Sequence, residues 1–287
     1  MVVEQVINGL VLGGIYALIA LGYSMIFGVL KFINFAHGDM CMIGGYVALV
    51  LFARLGIAPV PTIVLAMVIA ALAGILIERV AYRPLRAAGM ASTLIGSLGV
   101  SVFLQNFSQA VWTADRQRFP PMFEATFFEL GATRIPMVRF YVLGIVCILM
   151  LALQMFVTRT RTGKAMQACF EDLGTAQLMG VDVDKIVIMV FGLGAAQAAV
   201  AGVLLGVTYF TVYPTMGSFW GTKAFAAVVL GGIGNLTGAV LGGVLLGVAE
   251  TLGAVYISFG YRDAIAFCVL IGTLLFKPRG ILSGKTF

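Results

Sequence analysis

Charge is what this sequence has least of. Of its 287 residues only 10% are Asp, Glu, Lys or Arg, against 61% hydrophobic, and the mean hydropathy is +1.06. A soluble domain carries about 25% charged residues, so no ordinary water-facing surface can be built from this chain. It reads as an integral membrane protein in which nearly every residue belongs to a span or a short loop. Histidine is rarer still: His37 is the only one. With no clustered His and carboxylates in the apolar runs, and no nucleophile beside a base, catalysis is not expected. The four cysteines, Cys41, Cys147, Cys169 and Cys268, are far apart and form no C-x-x-C pair. That removes support for metal or redox chemistry, and they read as small buried hydrophobes. The net charge of +6 comes without a basic patch interleaved with aromatics, which argues against nucleic acid as a partner. No basic residue precedes Lys31, and Glu4 lies near the start, so no cleavable secretory signal is expected.

What the chain has in abundance is apolar runs. Nine can be marked: Val6–Leu30, Met40–Phe52, Pro59–Ile77, Thr93–Trp112, Phe140–Val157, Ile186–Val207, Ala224–Ile233, Leu236–Tyr256 and Ala264–Phe276. All read as helices, because backbone polar groups in lipid must be satisfied within the segment. The expectation is an all-α polytopic transmembrane bundle of eight or nine spans, 1–287 forming one domain. Met40–Phe52 and Ala224–Ile233 are too short to cross straight, since about 20 apolar residues span the hydrocarbon core. Each lies beside a glycine-rich interruption, one in each half of the chain. Paired, glycine-broken short segments point to a transporter's binding region; tight hairpins between full spans are the alternative.

Basic residues set the expected orientation. Arg79, Arg83 and Arg86, then Arg159, Arg161, Lys164 and Lys185, then Lys277, Arg279 and Lys285 fall in two loops and the tail. With Lys31, eleven of eighteen basic residues would face the cytoplasm, as basic loops do. The loop 113–139 would lie outside, its Arg116, Arg118, Arg134 and Arg139 offset by Asp115, Glu124 and Glu129. Nine crossings would put the N-terminus outside and the C-terminus inside. Glycine numbers 36. Gly9/Gly13, Gly202/Gly206, Gly238/Gly242 and Gly243/Gly247 have the GxxxG spacing that lets membrane helices approach closely.

The stretch Ile33–Tyr46 holds Asn34, His37, Gly38, Asp39, Gly44 and Gly45 between apolar runs. Polar and helix-breaking residues so placed must sit in water or line a polar cavity. His37 could carry a proton, but with no acidic relay nearby the better expectation is that it fixes a helix break. Glu250, inside an apolar run, should face a cavity or partner, or else reach the interface near Tyr256. Gln105, Asn106 and Gln197 read as interhelical hydrogen-bonding groups. Gly280 through Thr286 approximates a phosphate-binding loop, but the spacing is one residue short and no helix follows.

The loop 158–185 is long for a membrane linker. Glu171 and Asp172 precede Thr175–Met179, which reads as a short helix closed by Gly180. Leu178 and Met179 give it an apolar edge suited to a groove on a soluble partner; lying on the lipid surface is the alternative.

Three stretches together resemble a known family. They are Asn34-Phe-Ala-His-Gly38 with Met42-Ile-Gly-Gly-Tyr46, then Gly163–Gly180 running into Val181–Lys185, and Ala224 through Asn235 with Gly238–Gly243. The chain resembles the permeases of branched-chain amino acid ABC importers, the smaller of two paralogous subunits, over nearly its whole length. The resemblance implies a heterodimer with the second permease, two cytoplasmic ATPase subunits binding ATP and Mg, and a periplasmic solute-binding protein, in the bacterial inner membrane. No cofactor would sit in this chain. It further implies a coupling helix over Glu171, Asp172, Thr175, Leu178, Met179 and Gly180. The pathway would run by Asn34, His37, Gly38, Gly45, Gly231, Gly232, Gly234, Asn235 and Glu250. Similar permeases import urea, short amides or small organic and aromatic acids. An ion-coupled secondary transporter is the competing class.

Overall fold

The computed structural model describes residues 2–86, 88–124, 126–130 and 133–282. Gly284, Lys285 and Thr286 lie outside them, as does the side chain of Glu129. The chain folds as an all-α bundle: α1 (Val2–Leu30), α2 (His37–Leu49), α3 (Pro59–Ile77), α4 (Arg83–Arg86), α5 (Met90–Trp112), α6 (Val138–Arg159), α7 (Arg161–Glu171), α8 (Leu173–Leu178), α9 (Val183–Tyr209), α10 (Met216–Gly231), α11 (Leu236–Tyr256) and α12 (Arg262–Phe276). Among the described residues, seven helices are long and apolar enough to cross a membrane. Short π-helical turns extend α2 over Val50–Arg54 and α3 over Glu78–Tyr82. The segment between α5 and α6 was expected as plain loop. It carries β1 (Gln117–Arg118), β2 (Phe127–Leu130) and β3 (Thr133–Pro136); β2 pairs with β3, and β1 with β4 (Thr211–Val212).

Helices α1 and α9 form the centre and are buried almost all round, as expected of helices apolar on every face. Around them α3, α5, α6 and α12 turn Leu72, Ile95, Ile148 and Leu275 outward. Such apolar exposure is what lipid-facing helices present. The GxxxG pairs are contact points within the chain. A Cβ on Gly13 would stand 2.7 Å from Val244 Cα, and one on Gly9 would stand 2.8 Å from Val248 Cα. So α1 and α11 touch backbone to backbone. The cysteines divide: Cys41 and Cys169 are buried, but Cys147 and Cys268 are exposed on apolar helices, correcting the expectation that all are interior.

The two short helices are built alike. The residue after α1, Lys31, has φ 56°, and the residue after α9, Phe210, has φ 55°. Each left-handed residue turns the chain back, and six positions on from each a short helix begins, α2 at His37 and α10 at Met216. Their first turns meet. Gly221 would place a Cβ 2.8 Å from Gly38 Cα, and Gly217 one 2.6 Å from Asp39 Cα. Side chains at these glycines would force the two helices apart.

Candidate functional site

The turn before α2 is held from several directions. Asn34 is buried, and its Oδ1 accepts from the Ala36 amide at 3.1 Å and from the Tyr82 hydroxyl at 2.5 Å. His37 packs edge-on to Tyr23 with ring centroids 4.8 Å apart, and lies against Gly22 and Gly194. Its Nε2 is buried without a hydrogen-bond partner among the described residues. Asp39, fully buried, accepts from Ser101 Oγ at 2.5 Å and Gln105 Nε2 at 3.3 Å. No cation faces it among the described residues. It sits instead in the first turn of α2 against the first turn of α10, where two sets of helix N-terminal dipoles favour an anion.

A second polar centre joins α1, α9, α10, α11 and α12. Glu250 is 0% exposed. Its Oε2 accepts from Tyr16 at 2.7 Å; its Oε1 pairs with Lys223 Nζ at 2.7 Å and Arg262 Nε at 2.8 Å. Lys223 also reaches Asp263 at 2.6 Å and lies over the Phe219 ring; Arg262 donates to Tyr209 at 2.8 Å. Two cations thus balance two anions, Glu250 buried and Asp263 half-exposed. Of the alternatives for Glu250, the structure selects pairing within the chain.

The other sequence-selected glycines lie elsewhere. Gly231, Gly232, Gly234 and Asn235 sit at the far end of α10, not where it meets α2. Asn235 caps α11, its Oδ1 accepting from the Gly238 amide at 2.8 Å. The Leu230 and Gly231 carbonyls accept from Ile281 and Leu282 of the tail at 2.9 and 3.1 Å. This is a joint between helix ends. Gly45 is buried beside Gly202. The structure therefore brings Asn34, His37 and Gly38 together with Gly217 and Gly221, which the sequence reading passed over. It also missed Lys223, because α10 begins at Met216, ahead of the apolar run marked from Ala224. The spacing Gly217-x-x-x-Gly221 was the available signal. Among the described residues Glu250 is not the only buried carboxylate: Asp39 and Glu78 are fully buried too. Gln105 bonds across to α2 as expected, whereas Asn106 bonds back to Val102 of its own helix.

The loop 158–185 holds two helices, α7 and α8; the short helix expected over Thr175–Met179 is α8, which starts at Leu173, and α7 before it was not expected. Thr160 caps α7 by accepting from Gly163 at 2.9 Å. Asp172 caps α8, its Oδ1 accepting from Thr175 N at 2.5 Å, and this bonding holds its carboxyl below the usual range. Gly180, at φ 84°, ends the turn as expected. Leu178 and Met179 are 89% and 80% exposed, an apolar edge left uncovered by the described residues. Glu171 closes α7 and is exposed. Two connections tie this loop to the turn before α2. Lys31 Nζ donates to the Phe170 carbonyl at 2.7 Å. Asp184, at the head of α9, pairs with Arg83 at 3.0 Å and Arg86 at 3.3 Å. Arg86 also pairs with buried Glu78, four residues before the Tyr82 that holds Asn34.

The family profile described as "Branched-chain amino acid transport system / permease component" matches residues 5–274. The high-affinity branched-chain amino acid transport system permease protein BraD of Pseudomonas aeruginosa is 42% identical over 97% of this chain and 95% of its own. The corresponding LivH of Escherichia coli K12 is 42% identical over 97% of this chain and 94% of its own. A probable LivH of Methanocaldococcus jannaschii is 30% identical over 97% and 92%. No solved structure matches. A polytopic helical membrane protein matched across nearly its whole length, this chain belongs to the family of branched-chain amino acid transport system permease components.

Proposed function

We infer that this chain is the permease subunit of an ATP-driven importer that carries branched-chain amino acids inward across a bacterial inner membrane. The observation that carries this reading is family membership over residues 5–274. The relatives' names supply the substrate class; urea, short amides and small organic or aromatic acids remain the alternative cargo. In this reading α2 and α10 complete nine crossings, the N-terminus lies outside and the α7–α8 loop lies in the cytoplasm. The chain pairs with a paralogous permease. A periplasmic binding protein delivers the solute, and two ATPase subunits hold ATP and Mg.

The geometry suggests how such a chain would work. The α8 edge of Leu178 and Met179 docks into a groove of an ATPase, with Glu171, Asp172, Thr175 and Gly180 shaping that helix. Movement of the loop reaches Asn34 by two routes, Lys31 through Phe170 and Tyr82 through Asp184, Arg83 and Arg86. Asn34, His37, Gly38 and Gly45 then set the position of α2 beside the pathway. Gly231, Gly232, Gly234 and Asn235 fix the inner end of α10, and Glu250 its outer half. Being buried, these residues shape the route more than they touch solute.

The test is reconstitution. Proteoliposomes holding all subunits should take up labelled leucine only with ATP, and vanadate should stop it. Uptake by this chain alone on an ion gradient would overturn the proposal in favour of a secondary transporter.

A further inference from the structure

A cavity of about 520 Å³ opens at the end of the bundle opposite α7 and α8. It is bounded by the start of α1, the start of α6 and the end of α11, and its size lies within the range of about 300–1,000 Å³ typical of ligand pockets. Its body is apolar, with Val11, Ile15, Val142 and Ala254 on the helical walls and aromatic rings, Phe123 and Phe210 among them, from the connecting segments. The α6 side is peripheral, since that helix turns Ile148, Leu151 and Met155 outward. The polar groups at the deep end are already engaged: Arg262 with Glu250 and Tyr209, and Thr208 with the Leu204 carbonyl. At the mouth stand Gln5, Asn8 and Arg139. There Arg139 is paired with Glu4 at 3.3 Å, and both side chains keep about a quarter of their surface open, 24% and 28%.

We propose that this cavity is a phospholipid site, holding one acyl chain of a zwitterionic lipid whose phosphate meets Arg139 and whose ammonium meets Glu4. The apolar body beside a peripheral spanning helix gives an acyl chain a dry wall on one flank of the bundle. The mouth offers one cation and one anion side by side, which matches a headgroup carrying both charges better than an anionic one. Asn8 and Gln5 supply neutral hydrogen-bonding groups at the level of the ester linkages. The site is independent of the transport reading, because it asks only that the helices span a bilayer.

The test uses the purified full chain with its partner subunits in nanodiscs. The probe is phosphatidylethanolamine with a photoreactive diazirine midway along one acyl chain. After illumination, adducts mapped by mass spectrometry should concentrate on Val11–Ile15, Val142 and Ala254. Ala254→Trp, or Val142→Phe should the first disturb folding, should cut those adducts several-fold while labelling of α3 and α5 stays unchanged. Glu4→Gln, which removes the partner of the ammonium, should erase the preference over phosphatidylglycerol bearing the same diazirine. The wild-type map alone decides the central point. Adducts spread evenly over α3, α5 and α6, displacement by saturating leucine, or crosslinking of the second permease to these residues would each overturn the proposal.

Discussion

Replacing Glu250 with Gln changes almost nothing but charge, and the structure says what that should do. The amide keeps the volume and can still accept from the Tyr16 hydroxyl, 2.7 Å away. It withdraws the anion from Lys223 at 2.7 Å and Arg262 at 2.8 Å. At an effective dielectric constant of about 20, each contact is worth roughly 6 kcal/mol gross, most of it offset by the desolvation of burying the ions. What remains is the penalty of a buried charge with its partner removed, about 3–5 kcal/mol. Asp263 still holds Lys223 at 2.6 Å, but its carboxylate is 52% exposed, so solvent screening weakens that rescue. Lys223→Met should cost less, because Arg262 and Tyr16 continue to hold Glu250. The double variant restores neutrality, and its cost should fall short of the sum of the singles by about 0.5–3 kcal/mol. Equilibrium unfolding in mixed micelles, followed through Trp220 beside Lys223, measures all three. A double variant additive within about 0.5 kcal/mol would refute the idea of a coupled, charge-balanced centre.

Two further outcomes follow from the packing and the loop. A Cβ on Gly242 would strike the Ala227 carbonyl and stand 2.8 Å from Gly231 N, whereas one on Gly144 would meet nothing within 4 Å. Gly242→Ala should therefore destabilise by about 1–3 kcal/mol and Gly144→Ala should stabilise by up to about 1 kcal/mol, as read in the same unfolding assay. Acidification should loosen α8: the folded carboxyl of Asp172 lies below its unfolded value, so its capping contribution is present above about pH 4 and disappears as pH falls through the folded value. The protection factor of the Thr175 amide, its exchange rate divided into the intrinsic rate at each pH, should fall over that acid window in the wild type, and in Asp172→Ala should be low and flat across it.

How much of this could be seen beforehand depends on which physical signal each part leaves in the chain. The long helices were legible because lipid demands continuous apolar stretches; Pro59–Ile77 was marked with the bounds α3 has. That helices would approach closely was legible in the glycine spacing; that α1 meets α11 was not, because spacing does not say which helices pair. The start of α10 was not. Met216–Lys223 mixes Gly, Ser, Thr and Lys, and by hydropathy that composition reads as loop. It is helical because its glycines pack on α2, and because Lys223 finds two carboxylates and two aromatic rings. The rings are its own near neighbours, Phe219 and Trp220, but the carboxylates come from Glu250 and Asp263, 27 and 40 positions onward, and hydropathy windows do not see them. Asp39 was visible as a residue, but its burial depends on Ser101 and Gln105, which reach it from α5.

The same buried charges bear on where the energy of transport comes from. An ion-coupled carrier keeps carboxylates within its spans free to take and release a cation. In this chain Glu250 is committed to Lys223 and Arg262, and Glu78 to Arg86. Asp39 is enclosed by two neutral donors and two helix starts. Glu250 and Asp39 are held by groups that fix helices to one another, and Glu78 is held through one oxygen by Arg86; a cation passing through would have to displace them. The side chains left uncommitted are on the opposite account: Leu178 and Met179, apolar and exposed at the end of a capped helix on the α7–α8 side. A chain that spends its interior charges on architecture and leaves an apolar edge uncovered in a loop is arranged to be moved from outside itself. That arrangement supports an external ATPase over an internal ion cycle.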